Sequence, residues 1–246
     1  MPEETNHYDL AKWAKVDSPW TLAETAVKSR ERVFLHGPPG VGKSFLASKA
    51  GQPLSITLSE DLSVQELMGH YVPIGTEWTF RYGPVSKAFK EGRILILNEI
   101  GRASGAVRDF LLPVLDGSDV ARLTLPSGET LLPGAGFKVI GTANTPPDTL
   151  DPALRSRFQA EVHLSSPHPE IIRKLDRHYP GLGRALADSF KDPERALDPR
   201  RVMSFVETLQ LGIPLRQAAS LAFGDDAPEV LASLSSAKVE FPCDHS

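Results

Sequence analysis

The run Gly37-Pro38-Pro39-Gly40-Val41-Gly42-Lys43-Ser44 fits the spacing G-x-x-x-x-G-K-[ST] at every position. The chemistry served by that spacing is the capture of phosphate. Glycines let successive backbone N–H groups curl around anionic oxygens, and the helix that follows points its positive end at them. A lysine adds a point charge at the β and γ phosphates, and the next hydroxyl can ligate Mg²⁺. Gly37, Pro38, Pro39, Gly40, Val41, Gly42, Lys43 and Ser44, with Phe45 behind them, are therefore the candidate nucleotide-binding set, and Ser44 is a candidate metal ligand. Gly and Pro also build ordinary strand-to-helix corners, but a plain corner has no use for the lysine.

A second group of residues narrows the chemistry. Ile94-Leu95-Ile96-Leu97-Asn98-Glu99 has the form of an apolar strand ending in a polar pair, whose first member supports Mg²⁺ and whose second polarises an attacking water. Glu99 is the candidate base or water-orienting residue. Asn98 keeps an oxygen but lacks the charge of an acid; if it acts through metal-bound water, the change corresponds to about 10 to 100-fold in metal affinity or activity. Ser44, Asn98 and Glu99 are thus the candidate metal set, and ATP with Mg²⁺ the expected cofactors. Alone, Asn98 and Glu99 would equally suit the polar end of any buried strand.

These residues need elements to hold them. Apolar runs at Val33 to Leu35, Leu54 to Leu58, Ile94 to Leu97 and Phe137 to Thr142 read as strands, and the continuous run at Ile94 suits one covered on both faces. Between them lie helical patterns. One carries Leu10, Trp13 and Ala14; another follows the Ser18-Pro19 start signal with Leu22, Ala23, Ala26 and Val27. A third carries Phe45, Leu46 and Ala50 and stops at Gly51. Ser63 and Glu66 form a capping-box signature, Pro84 opens a helix ending before Gly92, and Val107, Phe110, Leu111, Val114 and Leu115 form a helical stripe interrupted by Pro113. Tyr71 to Tyr82 and Arg122 to Leu132 read as hairpins. Alternating strands and helices predict an α/β P-loop sandwich with a parallel sheet over residues 1–164. From Ser166 the strands cease; helices near Pro169 to Arg177, Pro199 to Leu211, Pro214 to Phe223 and Ala227 to Leu234 predict a small helical lid and tail over 165–246.

With these elements in place, the chain from about Phe34 to Phe158 resembles the AAA+ ATPases, particularly the MoxR, CbbQ and dynein-related branch. Asn98-Glu99-Ile100-Gly101-Arg102-Ala103 is similar to that branch's D-E-I-N-R-A segment, with Asn98 for Asp and Gly101 for Asn. Phe80-Arg81-Tyr82-Gly83-Pro84-Val85 resembles its F-x-x-G-P-[LV] stretch. Gly141-Thr142-Ala143-Asn144-Thr145 resembles its sensor strand, Leu150 to Phe158 its arginine-finger segment, and Asp198-Pro199-Arg200 its second sensor. The resemblance implies that Asn144 bonds the attacking water or γ-phosphate, although Asn before Pro146-Pro147 is also ordinary turn chemistry. It implies that Arg157, or else Arg155, reaches the phosphate bound by a neighbouring subunit, a contribution of order 10³ to 10⁵ in rate in related NTPases. The alternative for such an arginine is a solvated helix-end cation favoured by the helix dipole. Arg200, with Arg201 as its charged neighbour, would contact phosphate from the lid. The two hairpins match the branch's pore-facing inserts; Trp78, Phe80 and Tyr82 alternate on one face, either to grip a partner or to pack on the body.

The implied activity is a homo-hexameric ring ATPase that remodels or activates a protein client, with a partner bearing a von Willebrand A-type domain as kinship suggests. Composition weighs against a dedicated nucleic-acid motor or loader: 27 basic and 31 acidic residues give a net charge of -4. A hydrolysis-impaired, ATP-gated assembly module remains open because of Asn98, while a metabolite kinase finds no acceptor-site signal. The lone Cys243, the polar Met1 to Asn6 without a leader pattern, and the lack of a membrane-length apolar run lead us to expect a cytoplasmic protein. His70, His163, His168 and His178 are not in metal-ligand spacing and are read as structural or solvent-facing. The 19 Gly and 21 Pro, about 16% of the chain against an ordinary 12%, punctuate the loop, the helix starts and the inserts.

Overall fold

The computed structural model describes residues 18–192 and 195–241; the helix expected around Leu10, Trp13 and Ala14, and Cys243, lie outside the described residues. Helix α1 (Pro19–Ser29) begins where its start signal predicts, with the Ser18 hydroxyl accepting from the Thr21 N–H. It buries Trp20, Ala23, Ala26 and Val27. Leu22, expected on that face, is exposed instead, because the stripe runs 20, 23, 27 and turns position 22 outward.

Five parallel strands form the central sheet: β1 (Arg32–His36), β2 (Leu54–Thr57), β5 (Ile94–Asn98), β8 (Lys138–Ala143) and β9 (Ala160–His163), in the order β2-β5-β8-β1-β9. Alternation along the strands sorts their side chains cleanly. Phe34, Leu95, Leu97 and Val139 face one core, shared with Phe89, Val107 and Leu111, while Val33, Leu35, Ile96 and Ile140 face another, shared with Trp20, Val27, Leu46 and Ala47. The first core is closed by α4 (Pro84–Glu91) and α5 (Gly105–Val114), the second by α1 and by α2 (Lys43–Ser48). Helix α5 runs through Pro113 and ends at the next residue, and α2 stops short of Gly51, where it was expected to end. Strand β9 was not anticipated: only four residues long, it shows exposed Glu161 and His163 in alternation with half-buried neighbours.

Both hairpins form. The capping box of Ser63 and Glu66 starts α3 (Val64–Met68), which leads into β3 (Gly69–Ile74) and β4 (Glu77–Tyr82); β6 (Leu123–Thr124) and β7 (Thr130–Leu131) make the second hairpin. Trp78 is exposed near the tip of the first, whereas Phe80 and Tyr82 are half-buried against the first core, so the aromatic face divides. Lys90 ties the hairpins together, donating to the Tyr82 hydroxyl at 2.6 Å and pairing with Glu129 at 3.2 Å.

The short α6 (Pro152–Arg155) precedes β9, and beyond the sheet come α7 (Pro169–His178), α8 (Leu182–Ser189), α9 (Pro199–Gln210), α10 (Leu215–Phe223) and α11 (Ala227–Ser236). Leu175, Leu182, Leu186, Val202, Phe205 and Phe223 form their core. Helix α8 escapes sequence reading because Gly181 supplies no side-chain cap. No helix among the described residues is long and apolar enough to cross a membrane.

One glycine fixes the sheet to the loop. Gly37 has φ +144°, and a Cβ there would stand 2.1 Å from the Leu164 carbonyl oxygen. Gly37→Ala should therefore destabilise the fold outright, visible as loss of a cooperative urea transition. Leu97→Ala, in the fully buried centre of β5, should cost about 2–5 kcal/mol in the same measurement.

Candidate nucleotide-binding site

The loop between β1 and α2 lies at the carboxyl ends of the parallel strands, where open α/β sheets place their ligands. Its glycines are there for conformation and for room. Gly40 and Gly42 hold φ of +77° and +112°, and a Cβ on Gly40 would meet Asp198 Oδ1 at 2.7 Å and Pro199 Cδ at 2.9 Å. The loop thus touches the start of α9 directly. Above it opens a cavity of about 930 Å³ bounded by loop, sheet and the helices α7 and α9.

Lys43 stands at the base. Its side chain is buried, and Nζ donates to Gly37 O, Pro38 O and Asn144 Oδ1, each at 2.7 Å. Burial lowers its pKa to about 8; Glu99 opposes that shift, and the Arg200 charge adds to it. Asn144, at the end of β8, donates in turn to Glu99 Oε1 at 2.5 Å. Glu99 holds left-handed backbone at φ 55°, a conformation that costs a residue with a Cβ about 1–3 kcal/mol. That turn carries the chain from β5 into the Ile100–Arg102 turn, with the Glu99 carboxylate lining the cavity.

Ser44 and Asn98 meet on the other side. The Ser44 hydroxyl donates to Asn98 Oδ1 at 2.7 Å, and Thr142 Oγ1 donates to the same oxygen at 3.2 Å. With Glu99 close by, these are hard oxygen donors of the kind that suit Mg²⁺, an ion that keeps several waters and shares substrate phosphates. Among the described residues no group of three or more His, Cys, Asp or Glu side chains could hold a metal ion.

Of the remaining sequence candidates, Gly40, Gly42, Phe45 and Arg200 line the cavity. Arg201 turns away, bonding Ala222 O at 2.8 Å and facing Asp226 at 3.5 Å. Gly37, Pro38, Pro39 and Val41 shape the loop without lining the cavity. Neither Arg155 nor Arg157 lines it either: Arg155 pairs bidentately with Glu161 at 2.8 and 2.9 Å, and Arg157 pairs with Asp116 at 2.9 Å.

Sequence reading missed a wall of charge. Arg173, Lys174 and Arg177 on α7 line the same cavity, giving with Lys43 and Arg200 five cations against Glu99 and Glu170. Three basic residues within five on one helix were visible, but nothing in the sequence told which way they faced. His168 caps α7 through Nδ1, which accepts the Glu170 N–H at 3.1 Å, and its buried ring meets Trp20 and Phe45 edge-on.

The model of the dynein-related subfamily of AAA domains matches residues 32–158. The chain is 30% identical over 178 residues to Protein NorQ of Paracoccus denitrificans, a match covering 65% of this chain and 64% of that one. It is 27% identical over 175 residues to Protein CbbQ of Hydrogenophilus thermoluteolus, covering 67% and 64%. The match thus spans under two thirds of the length of these relatives. Among solved structures, a point mutant of Thermotoga maritima RuvB superimposes with a TM-score of 0.50 at 19% identity, covering 89% of this chain and 68% of that one. NtrX from Brucella abortus does so with 0.51 at 14%, covering 90% and 67%. These two likenesses show the fold.

The low pKa of Lys43 has a measurable sign. From about 8 up to its ordinary value, the unfolded chain binds the proton more readily than the folded one, so this residue destabilises fully below about pH 8 and its penalty fades as pH rises. An anion on the loop restores the charge. Calorimetry of triphosphate binding in buffers of different ionisation heat should therefore show proton uptake by Lys43 at about pH 8.5, little at about pH 6.5, and none from this source in Lys43→Met.

Proposed function

The chain belongs to the dynein-related subfamily of AAA domains, and from that premise we propose that it is an Mg²⁺-dependent ATPase working as a homo-hexameric ring that remodels or activates a protein client. We take residues 1–164 as its nucleotide-binding unit and 165–246 as the lid and tail. The observation that carries the reading is the convergence of Lys43, Ser44, Asn98, Glu99, Asn144 and Arg200 on one cavity, from elements far apart in sequence between α2 and α9.

In this reading the loop amides and Lys43 hold the phosphates. Ser44, with Asn98 and Glu99 behind it, would hold Mg²⁺, which when bound would supply neutralisation of phosphate charge. Glu99 orients the water, and its hydrogen bond to Asn144, which also contacts Lys43, puts water-orienting and phosphate-sensing groups in one chain of contacts. Arg200 reaches the phosphates from the lid. Arg157, with Arg155 beside it, lies outside its own chain's cavity, as a residue acting on a neighbour's nucleotide must. A partner with a von Willebrand A-type domain and a cytoplasmic setting complete the proposal by kinship with the MoxR-type relatives.

Asn98 favours a second reading, a nucleotide-gated assembly module with slow turnover. Single-turnover hydrolysis by the assembled protein separates the two: the ATPase reading expects turnover that Glu99→Gln lowers by about 10² or more while ATP still binds. Arg157→Ala should lower turnover by about 10³ without weakening ATP binding to one subunit. Mass measurement with Mg-ATP should show a hexamer. A monomer whose turnover ignores the loss of Arg157 would overturn the shared-site ring.

A further inference from the structure

Asn98 is held at both ends of its amide. Nδ2 donates to Ser55 Oγ at 2.9 Å and to Ile56 O at 3.3 Å, both on the edge strand β2, and Oδ1 accepts from Ser44 and Thr142. The residue sits opposite Thr57 on the last rung that joins β2 to β5. A carboxylate here would have no proton to offer the Ile56 carbonyl, and two acceptors would face each other. The sheet edge thus calls for an amide, and the amide leaves the metal-facing oxygen without a charge.

The far wall of the cavity has the opposite character. Arg173, Lys174 and Arg177 are exposed to the cavity, and neither they nor Arg200 form an ion pair among the described residues. A triphosphate in this cavity would meet Arg173, Lys174, Arg177 and Arg200 besides Lys43, while the oxygen that Ser44 bonds belongs to a neutral amide, leaving Glu99 and Glu170 as the carboxylates of the lining.

We propose that the site binds nucleoside triphosphate almost independently of Mg²⁺, because its own basic side chains neutralise the phosphates while Asn98 serves as a clip between β5 and β2. The proposal rests on the nucleotide-binding reading above and concerns binding, leaving Mg²⁺ its place in the chemical step. Asn98 is then a positioning residue: through its clip it holds the strand end from which Glu99 projects.

The test is the Kd of a fluorescent ATP analogue in excess Mg²⁺ and in excess EDTA. The wild-type values should agree within about threefold. Asn98→Asp should bind about tenfold or more weakly in EDTA and recover when Mg²⁺ is added, the range seen when groups behind a metal ligand change. Should Asn98→Asp fail to fold, Arg173→Gln combined with Arg177→Gln, at exposed positions, takes its place. That pair should loosen binding in EDTA more than in Mg²⁺. Wild-type binding that weakens about tenfold or more in EDTA overturns the proposal, as does an EDTA-to-Mg²⁺ ratio left unchanged in the folded variants. Absence of binding under both conditions would instead overturn the nucleotide-binding reading itself.

Discussion

The Lys43 ammonium has three oxygen partners at 2.7 Å, two from the glycine-rich loop and one from the end of β8. A buried cation is tolerated only when its donors are satisfied, so the ends of β1 and β8 and the start of α2 are fixed relative to one another by a single group. The rest of the site extends from this point. Asn144 passes the constraint to Glu99, and Glu99 takes up a left-handed backbone to remain in reach. On the outer side, Gly40 leaves space for Asp198 and Pro199, so that the loop and the start of α9 meet with almost no clearance.

The distribution of charge follows a similar economy. The chain as a whole is mildly acidic, yet its cavity gathers five cations around two carboxylates. Other arginines are neutralised locally: Arg155 by Glu161, Arg157 by Asp116, Arg108 by Asp151. Net charge therefore conveys little about the field at the site, because the field depends on which cations lack partners and where they point.

What the sequence made legible was what local chemistry dictates. The phosphate loop, the capping box at Ser63 and Glu66, the proline helix starts at Pro19, Pro84, Pro169 and Pro199, and the doubly covered β5 all rest on interactions within a few residues. The two elements that went unread lack such signals. Strand β9 is a four-residue edge, and α8 starts on an uncapped glycine. Long-range geometry was hidden in the same way. Pairing decides that Arg200, not Arg201, faces the cavity, and the direction of α7 decides that Arg173, Lys174 and Arg177 join it. Asn98 could be read as a missing charge, but its bonds to Ser55 and Ile56 exist only once β2 lies beside β5.

The link between the hairpins gives them a mechanical character. Lys90 leans over the Tyr82 ring at 4.4 Å and reaches Glu129 on the turn of the other hairpin, and all of these contacts are solvent-exposed. Exposed ion pairs are shallow and screened by salt. Together with the Tyr82 hydroxyl, which donates to Glu129 at 3.0 Å, such a tie behaves as a detent: it sets a resting spacing between the two arms. Dilute salt stiffens it and concentrated salt loosens it.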